Sequence, residues 1–149
     1  MTHEQWMAKA LSLAQAAMAA GEVPVGCVIV DGQGNLVGQG RNRREGTSDA
    51  TAHAEIVAIQ EACHTLGDWR LGSCSLYVTL EPCPMCTGAI LNARIGKVFY
   101  GAKDAAMGAC GSVINLFMED FWHKPQLVGG ILEEPCAQLM TEFFRDLRG

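Results

Sequence analysis

Two short stretches carry residue types that can do chemistry together: Thr51-Ala52-His53-Ala54-Glu55 and Glu81-Pro82-Cys83-Pro84-Met85-Cys86. They offer one imidazole and two thiols to a metal ion, and a carboxylate that the ion does not need. A structural zinc takes four protein ligands, and the other candidates, Cys63, His64 and Cys74, lie scattered without paired spacing. Three ligands leave a position for water, whose pKa zinc lowers to about 7. A spare acid/base group beside that position points to catalysis. The C-x-x-C pair alone reads equally as a metal site, a redox pair or two buried apolar cysteines. A redox pair, however, leaves His53 and Glu55 without a role.

The elements that hold these groups can be inferred from the spacing. Residues two apart point to nearly opposite sides of a regular helix, so His53 and Glu55 can face one ion only from a first turn. Thr51 is expected to cap a helix over 51–66 that carries Ile56, Ile59 and Cys63 on one face and stops at Gly67. In the second stretch Cys83 is expected at the N-cap and Pro84 at the first helical position, where its missing N–H costs nothing. Cys86 then lies three residues on, over the same face. Both helices aim their positive ends at the ion, which favours thiolate over thiol.

Around them, Trp6, Ala10, Leu13, Ala14 and Ala17 recur at helical spacing before Gly21. A β-rich run over 23–30, a turn over 31–35 and a strand over 36–40 read as a hairpin. Its end leads into Asn42, where a side chain can read a ligand. A strand over 75–80 runs directly into the cysteine helix over 84–92, and the crossover makes the next strand, 97–101, parallel to it. Small residues over 102–112 form a loop returning across the site. A short helix over 113–117, a brief strand over 126–128 and a closing helix striped by Cys136, Leu139, Met140, Phe143, Phe144 and Leu147 complete the chain. This order predicts an α/β fold, a mixed sheet of about five strands between two helical layers.

With 149 residues, 49% of them hydrophobic, the chain is expected to form a single domain over 1–149. Its N-terminal residues lack a basic region and a long apolar core, and no uncharged run is long enough to span a bilayer. The seven cysteines are odd in number, and Cys27, Cys63, Cys110 and Cys136 sit in apolar surroundings, which fits a reducing compartment. A cytoplasmic location without membrane contact is the expectation. The net charge of -5 argues against non-specific nucleic-acid binding. A local cluster can still serve a specific RNA, and Arg41, Arg43 and Arg44 form the densest one, though a solvated basic turn explains them equally.

H-x-E followed by P-C-x-x-C resembles the signature of the zinc-dependent nucleoside and nucleobase deaminases. Glu22-Val23-Pro24-Val25-Gly26, the loop from Gly101 through Gly111-Ser112, and Phe143-Phe144-Arg145 resemble one branch more narrowly, the bacterial tRNA-specific adenosine deaminases. The likeness runs from about Trp6 to Arg148. It implies a cytidine-deaminase-like three-layer α/β/α fold and one zinc per chain on His53, Cys83 and Cys86. It implies hydrolysis of the wobble adenosine of a tRNA anticodon stem-loop to inosine by a zinc-bound hydroxide, with Glu55 shuttling the proton, and a homodimer. Asn42 would read the base, while the Ala54 backbone and Pro82 would line the pocket. Asp104 would lie near the flipped nucleotide, and an Asp that merely caps a turn fits the sequence equally. Arg41, Arg43, Arg44, Arg145 and Arg148 are expected to touch phosphates, since the chain has few other basic groups. Pro84 also occurs in guanine deaminases, so a small-molecule deaminase acting on guanine, cytosine or a nucleoside is one alternative. A non-catalytic partner subunit is another, and such a subunit could dispense with Glu55.

Overall fold

Successive strand residues point to opposite faces, so runs such as Cys27-Val28-Ile29-Val30 and Leu76-Tyr77-Val78, buried throughout, need cover on both sides. The computed structural model describes residues 1–148 and provides that cover. In chain order the elements are α1 (His3–Ala19), β1 (Gly26–Val30), β2 (Leu36–Arg41), α2 (Arg44–Thr47), α3 (Ala54–Leu66), β3 (Ser75–Leu80), α4 (Pro84–Asn92), β4 (Lys97–Ala102), a 3-10 turn (Leu116–Met118), β5 (Gln126–Val128) and α5 (Glu133–Arg148). The five strands form one sheet in the order β2-β1-β3-β4-β5. β1 is antiparallel to β2 and β3, whereas β3, β4 and β5 run parallel.

Cys27, Ile29, Leu76, Val78 and Val98 pack against α3 and α4 on one face, with Ala54, Ala58, Ala62 and Ile90 opposite them. On the other face Val28, Val30, Tyr77 and Phe99 meet Trp6, Met7 and Ala10 of α1 and Cys136 of α5. The layers are therefore α/β/α around a mixed five-stranded sheet, as the element order predicts. Glycine decides how close α3 comes. A Cβ on Gly40 would lie 2.5 Å from the Ala54 carbonyl oxygen, and one on Gly38 would lie 2.3 Å from that of Ala58. The first turn of α3 thus rests directly on β2.

Three local expectations are corrected. Thr51 does not cap the helix: its N–H and hydroxyl both bond Asp49 Oδ1, at 2.8 and 2.7 Å, and His53 occupies the N-cap itself. The helix expected over 113–117 is a 3-10 turn at Leu116–Met118, capped by Asn115. The β-rich run begins pairing only at Gly26. The short α2 was not expected at all. Among the described residues no helix is long and apolar enough to cross a membrane.

Candidate active site

The site lies where α3 and α4 begin. His53 takes the extended backbone of an N-cap, and its side chain makes no capping bond, so the imidazole is free to turn away from its own helix. Cys83 holds the same position on α4, Pro84 follows in the first turn, and Cys86 is fully buried one turn on. The spacing argument for α4 is thereby met, and β3 delivers its C-terminal end to the same place.

His53 Nδ1 lies 3.7 Å from Cys83 Sγ and 3.6 Å from Cys86 Sγ. Zn–S bonds of about 2.3 Å and a Zn–N bond of about 2.1 Å meeting tetrahedrally would separate nitrogen from sulfur by about 3.6 Å. The three ligand atoms lie within 4.8 Å of one another, and among the described residues this is the group able to hold a metal. One imidazole and two sulfurs suit zinc better than an oxygen-seeking ion. The electrostatics agree. A bond from Cys86, helped by His53, holds the Cys83 thiol down at about 4 against the opposing effect of burial. The same shared proton pushes Cys86 up, and the bond to Cys83 raises His53.

Glu55 follows His53 by two residues in the first turn of α3 and is only 4% exposed. Burial raises its carboxyl to about 7, with the neighbouring Cys83 charge adding to the rise and His53 opposing it. A carboxyl at that value can both take and give a proton near neutrality.

These groups open into a cavity of about 600 Å³ walled largely by apolar side chains, including Val23, Val25, Leu80, Met107, Met140 and Phe144. Asn42 lines it at 4% exposure; its amide donates to the Val23 carbonyl and its oxygen accepts from the Arg44 N–H, both at a long 3.4 Å. Ala54 lines it as expected. Pro82 is not among the lining residues: it is buried, and its carbonyl accepts the Ala109 N–H at 2.9 Å. Asp104 caps a turn, its Oδ1 accepting the Ala106 and Met107 N–H groups at 3.1 and 3.2 Å, and it also lines the cavity.

Of the arginines, only Arg44 lines the cavity. Arg41 is partly buried and donates to the Asn42 carbonyl at 3.2 Å, while Arg43 is exposed. Arg145 and Arg148 stand exposed in the last turn of α5, just beyond Phe144.

Sequence reasoning missed two buried carboxylates. Glu22, 2% exposed, accepts the N–H groups of Glu45 at 3.1 Å and Gly46 at 2.7 Å and so holds α2 in place. Glu81, also 2% exposed, accepts four bonds from the loop after β4. For both, burial alone would raise the pKa, and the bonds received outweigh it, so each lies below its ordinary value. The available signal was an acid standing inside an apolar run, Leu80-Glu81-Pro82 and Glu22-Val23-Pro24-Val25.

The fold and this donor set define a zinc-binding deaminase. The family model of the cytidine and deoxycytidylate deaminase zinc-binding region matches residues 1–102, and the chain belongs to that family. Zinc is accordingly its cofactor, and the donor geometry fits it. More narrowly, the chain is 45% identical over 146 residues to the tRNA-specific adenosine deaminase of Bacillus subtilis (strain 168), covering 97% of this chain and 90% of that protein. A structure solved in work on A-to-I editing by tRNA:A34 deaminases at the wobble position of transfer RNA is 41% identical. It superposes with a TM-score of 0.86, covering 91% of this chain and 98% of that one. The guanine deaminase of Bacillus subtilis is 42% identical at a TM-score of 0.68, covering 84% of this chain and 79% of that one.

Proposed function

We propose that the chain hydrolyses the wobble adenosine of a tRNA anticodon to inosine, as a single deaminase domain. The observation that carries the activity is the pairing of three convergent metal ligands with a buried, protonatable Glu55 that is not one of them. The length of the likeness to tRNA-specific adenosine deaminases carries the substrate.

His53, Cys83 and Cys86 would hold zinc, which lowers the pKa of a coordinated water and makes it a nucleophile near neutral pH. Glu55 would take a proton from the attacking water as its oxygen adds to C6 of adenine and deliver it to N1, so the ring need not carry a full negative charge. It would then carry the proton of the new C6 hydroxyl to the departing amine, so that water plus adenosine become inosine plus ammonia. Asn42 reads the base edge, and its long internal bonds are easily exchanged for bonds to a ligand. The apolar walls exclude bulk water. A stacked base cannot enter such a cavity, so the nucleotide must flip out at a cost of roughly a few kcal/mol.

A homodimer in the cytoplasm completes the reading. Exposed Val113, Ile114, Met118, Phe121 and Trp122 give the 113–122 segment an apolar surface suited to a second copy. Light scattering at micromolar concentration should give twice the chain mass, and a monomer mass removes the dimer alone.

Guanine is the second substrate to weigh, because the likeness to a guanine deaminase is also substantial. Inosine formation in an anticodon stem-loop should far exceed ammonia release from free guanine, cytosine or adenosine. Rapid turnover of guanine with an inert stem-loop would reverse the assignment.

A further inference from the structure

Glu81 stands at the end of β3, two residues before Cys83, and borders the cavity. Its position invites a role as a second acid or base, and its bonds exclude one. Oε1 accepts the Asp104 N–H at 3.1 Å and the Ser112 hydroxyl at 2.5 Å; Oε2 accepts the Cys110 and Ser112 N–H groups, each at 3.0 Å. An ionised carboxylate has about four acceptor sites, and all four are used. No capacity is left for a substrate.

All four bonds come from one loop. Its backbone closes directly on the carboxylate, since a Cβ on Gly108 would lie 2.3 Å from Glu81 Oε2. The other side of that loop presents Asp104, Ala106 and Met107 to the cavity. His53, Glu55, Cys83 and Cys86 belong instead to the first turns of α3 and α4 and make no bond to the loop.

We propose that Glu81 is a positioning residue: it pins residues 104–112 as one wall of the base pocket and thereby sets how firmly the base is held, separately from the metal and proton-transfer groups. This rests on the reading that the cavity takes a nucleobase. A wall that grips ground state and transition state alike acts on KM and leaves kcat largely unchanged.

The test uses Glu81→Gln, which keeps the shape but brings an amide NH₂ against donors, and Ser112→Ala, which removes one of the four bonds and is the milder variant should Glu81→Gln fold poorly. Zinc per chain, amide hydrogen exchange and steady-state kinetics are measured on each. The kinetic arm uses whichever substrate the wild type turns over, stem-loop or free base, so that failure of the tRNA assignment and failure of this one are separate results. In Glu81→Gln, zinc content should stay at the wild-type level, and the Asp104, Cys110 and Ser112 amides should exchange faster. KM should rise about tenfold, the scale of one lost charge-assisted hydrogen bond, with kcat within about twofold. Ser112→Ala should move the same way by about twofold to threefold. Loss of zinc would place the action of Glu81 on Cys83 and overturn the proposal. So would an unchanged KM in both variants despite faster exchange, because the loop would then not hold the base.

Discussion

A carboxylate near a metal is as often a ligand as a base, and at Glu55 the distinction rests on two features. The His53 and cysteine atoms already have the separations that zinc requires, and Glu55 is fully buried with its carboxyl raised to about 7. Glu55→Gln should therefore retain one zinc per chain and a native circular dichroism spectrum while losing deamination by about 100-fold to 10,000-fold, the usual range for a lost general acid/base. His53→Ala and Cys83→Ala should instead lose the metal together with stability, because metal binding is coupled to folding. Elemental analysis separates the two results. Zinc lost as readily from Glu55→Gln as from His53→Ala would make Glu55 a fourth ligand.

At the scale of elements, the reaction geometry depends on α3 lying against β2, where Gly40 leaves no room for a side chain. Gly40→Ala should lift the first turn of α3 and cost about 1–3 kcal/mol by overpacking. It should also depress kcat beyond the stability loss, because His53 and Glu55 ride on that turn. Retained kcat in the folded fraction would show that the turn accommodates the methyl group. Glu22 secures α2, whose Arg44 lines the cavity. Its folded pKa lies below the ordinary 4.5, so the stability it contributes is present above the unfolded value and lost as pH falls through the folded one. Glu22→Gln should cost about 1–3 kcal/mol at neutral pH, and urea titrations should find the gap to wild type closing below about pH 4. A gap constant from pH 7 to 3 would mean that the carboxylate charge is not what holds α2. The same elements explain what the sequence disclosed. α4 was legible because Cys83 and Pro84 specify its start locally. α3 was legible in existence and not in onset, since Asp49 engages Thr51 before it can cap. α2 is four residues long and is held by Glu22, 22 residues before its first residue, a non-local bond with no periodic trace. The cluster of His53, Cys83, Cys86 and Glu55 was readable from spacing, whereas Glu22 and Glu81 show in the sequence only as acids inside apolar runs, and their donors, all backbone except the Ser112 hydroxyl, leave no pattern there.

For the whole molecule the difficulty is charge: a chain at -5 must bind a polyanion through a small local surface. The fold narrows the five arginines named from sequence to an uneven set. Arg44 lines the cavity, and α5 reaches it through Met140 and Phe144, with exposed Arg145 next to Phe144 in sequence and Arg148 one turn further along the helix. Arg41 differs, because it is partly buried and its guanidinium donates to the Asn42 carbonyl at 3.2 Å, whereas the charges of Arg41 and Arg44 both act on buried Glu22. A guanidinium turned inward to that carbonyl is poorly placed to meet a phosphate. Arg44→Ala and Arg145→Ala should each weaken stem-loop binding and flatten the plot of log affinity against log salt by about 0.7 to 0.9, the slope of one phosphate contact. Arg41→Ala should leave that slope nearly unchanged while disturbing base reading through Asn42. Asn42→Ala should lower turnover at similar RNA affinity if it reads the base as proposed, since it is buried in the cavity wall and not on the outer surface. Stem-loop affinity measured by fluorescence anisotropy from 50 to 200 mM salt, in about fourfold span, covers the range where these contacts dominate. Salt-independent binding in the wild type, or equal slopes for Arg44→Ala and Arg41→Ala, would break the link between the cavity mouth and an RNA backbone.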